Sequence, residues 1–204
     1  MTRMAVIDFE TTGLSPAQGD RATEVAIVLL ERGQVVDRFQ SLMNAGVRIN
    51  SFIESYTGIS NEMISAAPAA HEVMADASRF VGNAPMVAHN AAFDRRFWAA
   101  ELARLGQVAA QPFACTLLLA RRLYPQAPNH RLGTLAAWHA LPPAGRAHRA
   151  LADAEVAAQL LARIQADLCA QFSLADAGHA LLMKLQACQR QALPATVRRH
   201  AALA

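Results

Sequence analysis

Long apolar runs are missing from this chain. Its longest stretch of bulky apolar residues, Val25 to Leu30, is far short of the ~20 residues a helix needs to cross a bilayer, so no membrane partner is expected. An acid at Asp8 interrupts the start of the chain before a signal-peptide core could form, and the expected location is cytoplasmic. Paired cysteines are missing too. Cys115, Cys169 and Cys188 are widely spaced and fit no metal-knuckle pattern, which argues against a disulfide framework and a zinc site. Lysine is nearly absent: Lys184 stands alone, so 18 of the 19 basic residues are arginine. No internal repeat or low-complexity linker divides the chain.

What is present points to a soluble globular chain. Its 204 residues suffice for one well-buried domain with an appendage. Hydrophobic residues make up 53%, much of it alanine, which predicts packing by close helix approach. A net charge of +3 and a pI near 9.1 form a mild excess that suits a polyanionic partner.

Met4 to Gly13 opens with a strand, and Glu24 to Glu31 and Gln34 to Met43 read as two more, joined by a tight turn at Arg32-Gly33. A mixed loop follows from Arg48 to Ser65. Helical patterns cover His71 to Val81, Ala91 to Leu105, a segment ending at Leu123, Asn129 to Ala140, and Ala150 to Leu168. Short strands at Met86 to His89 and Phe113 to Cys115 alternate with them, as in an α/β layer. Ser173-Leu-Ala-Asp176 resembles an N-terminal cap for one more helix, with an apolar stripe of Leu174, Leu181, Leu182, Leu185 and Cys188 and an end at Pro194. The expected division is a domain over 1–168 and a C-terminal helical extension over 169–204.

Four acids sit where structure alone does not ask for them. Side chains alternate along a strand, so Asp8 and Glu10 share the apolar face of Met4 and Val6. Asp94 heads the helix face of Phe97, Trp98 and Leu105, and Asp153 that of Val156, Leu160 and Ile164. A first-turn carboxylate gains ~0.3–1 kcal/mol from the helix dipole, which explains each helical acid singly but not the convergence of all four. Brought together without a cation they would repel and their pKa values would rise. All-oxygen ligands suit magnesium or manganese rather than zinc, and a pair of such ions serves phosphodiester hydrolysis. His148, five residues before Asp153 in a loop flanked by Gly145, is the candidate general base.

Asp-Phe-Glu-Thr-Thr-Gly from Asp8, His-Asn-Ala-Ala-Phe-Asp ending at Asp94 and His-Arg-Ala-Leu-Ala-Asp-Ala from His148 together resemble the three motifs of the DEDDh family of 3′ to 5′ exonucleases. Within it, the Thr-Thr-Gly form is most similar to the proofreading epsilon subunit of bacterial DNA polymerase III and its stand-alone relatives. The resemblance implies a ribonuclease-H-like α/β fold, a mixed five-stranded sheet flanked by helices. It implies that Asp8, Glu10, Asp94 and Asp153 hold two Mg²⁺ ions, that His148 deprotonates water, and that nucleoside 5′-monophosphates leave from a 3′ end. It places Thr11, Thr12, Leu14 and Phe93 around the terminal nucleotide. Asn90 is expected to steady the backbone or a phosphate, and Arg146 and Arg149, which flank His148, are the favoured phosphate contacts. Many relatives carry histidine before the Gly-Ile pair, where this chain has Thr57.

The expected substrate is a single-stranded 3′ end, DNA ahead of RNA, with trimming of RNA as the alternative. A second alternative is a module bound to a DNA polymerase or sliding clamp, for which Gln171-Phe-Ser-Leu174 offers a faint likeness to a clamp-binding peptide.

Overall fold

The computed structural model describes residues 3–202. Strands β1 (Met4–Thr11), β2 (Ala22–Glu31) and β3 (Gln34–Leu42) form an antiparallel meander. On the other side of β1, β4 (Met86–Ala88) and then β5 (Phe113–Cys115) add in parallel. The sheet order is β3-β2-β1-β4-β5, the mixed five-stranded sheet expected. At the β2–β3 turn Arg32 and Gly33 both adopt positive φ, 52° and 75°, which suits the twist of a tight hairpin.

The alternation along β1 feeds two cores. Ala5, Ile7 and Phe9 face helices α3 (Ala70–Val81) and α4 (Ala92–Arg104), where Val73, Met74, Phe97 and Trp98 are buried. Met4 and Val6 face α5 (Thr116–Leu123) and α7 (Ala150–Phe172). Between those two runs the short α6 (Leu132–Trp138). On its buried side α7 presents Ala150, Ala154, Ala157, Ala158 and Leu161, small side chains that let a long helix lie close over β1 and β2.

Several expected boundaries shift. The stretch 48–65 is not a loop but holds two helices, α1 (Ser51–Thr57) and α2 (Asn61–Ala66), each capped by a side chain, Asn50 onto the Ile53 N–H and Ser60 onto the Met63 N–H. The helix expected over Asn129 to Ala140 spans only Leu132–Trp138. Ser173 does not cap a following helix. It ends α7 in the left-handed conformation (φ 53°), four residues later than expected, and its N–H bonds to the Cys169 carbonyl. The next helix, α8 (His179–Ala187), starts after Gly178 and carries Leu181, Leu182 and Leu185 into the α7 core, with Leu174 packed against the same cluster from the loop. Pro194 opens a helix rather than ending one, in the first turn of α9 (Leu193–Ala201), where its missing N–H costs nothing. Gln171 and Phe172 belong to α7, and Phe172 packs against the core, so the clamp-like stretch is not a free peptide. On the β5 edge the Gln186 side chain accepts from the Cys115 N–H at 2.6 Å and donates to the Phe113 carbonyl at 3.1 Å.

An ion pair fixes α4 to the sheet. Glu101, only 3% exposed, accepts from Arg21 Nε and Nη2 at 2.8 Å each and from the Ala22 N–H at 3.3 Å. Arg21→Ala leaves that buried carboxylate with only the half-exposed Arg104, 3.8 Å away, as counter-charge, and the expected loss is about 3 kcal/mol, a fall in Tm of roughly 10 °C for a domain of this size. Thermal or urea unfolding checks it. Replacing both partners, Arg21→Met with Glu101→Leu, is expected to recover most of the loss, and a double variant as weak as the single one would count against the pair.

Candidate active site

Pairing between β1 and β4 stops at Val6 and Val87, so from Ile7 onward that edge of β1 is uncovered by a strand. Asp8 and Glu10 lie there, at the carboxyl end shared by β1 and β4, the end where open α/β sheets bind ligands. The chain leaving β4 turns through Asn90 in the left-handed conformation (φ 65°) and enters α4, which delivers Asp94 beside Asp8 in its first turn. The first turn of α7 delivers Asp153 from the other face.

Carboxylate oxygens of Asp8, Glu10 and Asp153 lie within 4.8 Å of one another. Asp94 stands behind Asp8, buried, with Oδ1 lacking any hydrogen-bond partner. None of the four takes part in an ion pair among the described residues. Burial, then the charges of Asp94, Glu10 and Asp153, hold the Asp8 carboxyl well above the usual range. Burial and Asp153 push Glu10 up to about 8, and burial pushes Asp94 up to about 8. Asp153 is raised by burial, partly offset by the His148 N–H it accepts. An orphaned buried oxygen and four destabilised carboxylates, all with oxygen donors, fit a divalent cation of the magnesium or manganese kind.

Glu24 is the instructive contrast. It sits opposite Glu10 on β2 with no solvent exposure, and burial alone would raise it. Hydrogen bonds from Arg149, from Gln40 at 2.7 Å and from the Ala150 N–H at 3.1 Å hold its carboxyl below the usual range instead. Arg149, the residue just before α7, commits its guanidinium to this acid, Nη2 to Oε1 at 2.8 Å and Nε to Oε2 at 3.1 Å. It thereby pins the helix that carries Asp153. Arg146 is different: it is exposed, and its guanidinium lies against Gly58 at the end of α1.

His148 has positive φ (61°), gives its N–H to Asp153 Oδ2 at 3.0 Å, and stacks its ring on Tyr56 with centroids 3.9 Å apart. Thr11 bonds the Gly13 carbonyl at 2.6 Å, and Thr12 bonds Asp20 at 3.3 Å and accepts the Arg21 N–H at 3.0 Å. Both therefore shape the turn after β1, where a β-carbon on Gly13 would strike the Asp20 carboxylate. Leu14 stands 78% exposed on that turn. Phe93 tilts against Phe97 at 4.9 Å, half-buried. Thr57 turns inward, donating to the Ile53 carbonyl and accepting from the Ile59 N–H.

Sequence reasoning missed part of the cleft. An opening of about 1270 Å³ is floored by Asp8 and Asp153 and walled by Tyr56, Asn90, Arg121, Arg131 and His148, among others. His89 braces that wall from behind. Its Nε2–H donates to the His130 carbonyl at 3.0 Å, which leaves Nδ1 to accept from the Thr116 hydroxyl at 2.9 Å, and burial lowers its pKa to about 4. The signals were present: Phe52 and Tyr56 four residues apart before Thr57, and arginine following Asn129-His130.

A mixed five-stranded sheet in the order β3-β2-β1-β4-β5, flanked by helices, with acids clustered at one end, is the ribonuclease-H-like exonuclease fold. The chain belongs to the exonuclease family (RNase T), whose model matches residues 5–161. It is 40% identical over 157 residues to the PolC-type DNA polymerase III of Oceanobacillus iheyensis, covering 76% of this chain and 11% of that protein. It is 37% identical over 155 residues to the 3′-5′ exonuclease DinG of Bacillus subtilis, covering 76% and 16%. The chain thus spans between about a tenth and a sixth of these relatives' lengths. Among solved structures, exonuclease X in complex with 5′ overhanging duplex DNA superimposes with a TM-score of 0.68 at 27% identity, covering 89% of this chain and 99% of that one. No helix of the described residues is long and apolar enough to cross a membrane.

The raised carboxylates set a pH dependence. Glu10 and Asp94 start from ordinary values of 4.5 and 3.8 in the unfolded chain and reach about 8 in the folded one. Between those limits the folded chain keeps protons that the unfolded chain has released, so stability is full at acid pH and is lost as pH rises through 8. A divalent cation competes with those protons. Magnesium is expected to raise Tm more at pH 8 than at pH 6, and equal shifts at both would argue that it binds elsewhere.

Proposed function

We propose that the chain is a divalent-metal-dependent 3′ to 5′ exonuclease that shortens single-stranded DNA ends one nucleotide at a time, releasing nucleoside 5′-monophosphates. One observation carries the reading: carboxylates that no arginine or lysine pairs with meet on the floor of an open cleft. Asp8, Glu10, Asp94 and Asp153 would hold two magnesium ions, with manganese as a substitute. When bound, these supply Lewis-acid stabilisation of the charge that builds on the phosphoryl oxygens.

His148, at the rim and tethered through its main chain to Asp153, takes the proton of the attacking water. The water oxygen bonds to phosphorus, the bond to the 3′ oxygen of the preceding nucleotide breaks, and that oxygen leaves with a proton. Thr11 and Thr12 shape the turn that meets the terminal sugar, and exposed Leu14 wedges beside the last base, with Asn90 and Phe93 on the side of α4. Arg146 contacts a phosphate directly, together with Arg121 and Arg131 on the cleft wall. Arg149 serves the same end through Glu24, by holding α7.

The similar proteins support DNA as the substrate and a DNA polymerase as a partner, since one is a DNA polymerase and another was solved with DNA. In this reading the extension expected from residue 169 begins after α7 ends at Phe172, and its helices α8 and α9 complete the packing of α7.

Release of monophosphates from end-labelled oligonucleotides tests the mechanism. Asp8→Asn is expected to abolish hydrolysis yet raise Tm in chelator, because it removes one repelling charge. His148→Ala is expected to slow turnover by ~10²-fold or more with cation binding kept. Full activity of Asp8→Asn, or of the wild type in chelator, would overturn the reading. Matched DNA and RNA strands, compared side by side, decide the sugar preference.

A further inference from the structure

We infer that Phe52 and Tyr56 form a stacking platform for the unpaired nucleobases of the strand whose end enters the acid-floored cleft. The occupant rests on the nuclease reading above, while the platform itself rests on geometry. The two residues are one turn apart on α1, with rings 12° from parallel and centroids 5.8 Å apart. Phe52 is 70% exposed and Tyr56 49%. Single exposed apolar side chains such as Val108 need no explanation. Two parallel rings held in solvent, in a chain that buries Phe97 and Trp98 completely, do need one.

The stack does not stop at the surface. Tyr56 continues onto the His148 ring at 3.9 Å and lines the cleft with Asp8 and Asp153, so three rings lead from solvent to the carboxylates. Cations flank the line. The Arg146 guanidinium lies against Gly58, where a β-carbon would strike it. Arg131 lines the same cleft as Tyr56. Neither arginine is in an ion pair among the described residues.

Aromatic faces between unpaired arginines match a single strand, with bases on the rings and phosphates on the cations. Inside a duplex each base face is already stacked on its neighbour, and the one free face at a blunt end belongs to a base held in its pair, so it cannot splay onto the rings. The platform therefore selects ends with unpaired nucleotides beyond the one being removed.

Binding of a labelled oligothymidylate to the full chain, in chelator and at low fixed salt, tests this without turnover. Phe52→Ala is expected to weaken binding by about 5-fold or more, in line with the loss of one stacked base, whereas Phe52→Trp keeps it. Both substitutions lie on an exposed helix face, and melting curves confirm that each variant is folded. The decisive arm pairs the protein change with a DNA change. One abasic nucleotide, moved along the strand, should weaken wild-type binding at the position that meets Phe52 and have no such effect on Phe52→Ala. Unchanged affinity of Phe52→Ala, or abasic losses equal in both proteins, would overturn the platform even if ends are hydrolysed normally. Coupled losses without any hydrolysis under divalent metal would keep the platform and overturn the nuclease reading instead.

Discussion

Carboxylates held together out of water repel, and the end of the sheet is arranged to hold four of them in place against that repulsion. The restraint comes from β2. At its start Arg21 and the Ala22 N–H grip Glu101 of α4, and three positions on, Glu24 grips Arg149 and the Ala150 N–H of α7. In both, a buried glutamate joins a guanidinium to a main-chain N–H. One pair fixes the helix that delivers Asp94 and the other the helix that delivers Asp153. Buried pairs of this kind add little net stability over apolar substitutes, but losing one partner is costly. They hold the helices in register, and the register sets where the acids meet.

Topology supplies the opening. Because β4 is three residues long and pairs with β1 only at Ala5 and Val6, the sheet opens beside β1 just before Asp8. A longer β4 would cover the edge that Asp94 now approaches. The alanine-rich face of α7 allows the complementary approach from the other side. The same residues that look unremarkable in composition thus decide how near Asp153 comes to Asp8.

Much of this was legible in sequence because it is periodic. A period of two put Asp8 and Glu10 on the face of Met4 and Val6, and helical spacing put Asp94 and Asp153 at the heads of buried faces, which is where they stand. The partner of Arg149 was not legible, since Glu24 lies 125 positions earlier and no local pattern links them. Ser173 was ambiguous for a different reason. A serine followed three residues later by an acid suits the start of a helix, but the same residue ends α7 because Leu174 turns back to bond the Cys169 carbonyl. Pro194 is equally two-sided, a stop after a helix or a first-turn residue of the next. The contact of Tyr56 with His148 joins two segments that sequence spacing cannot relate.

The Gln186 amide, bonded to both Cys115 and Phe113, imitates one residue of a sixth strand. An outermost strand with bare N–H and C=O groups invites a foreign chain to extend the sheet. Here α8 supplies the amide together with Leu181, Leu182 and Leu185 packed beneath it, so β5 is sealed against edge-to-edge association by a single side chain on a helix. The C-terminal helices thereby close the outer edge of the sheet two strands away from the acids on β1.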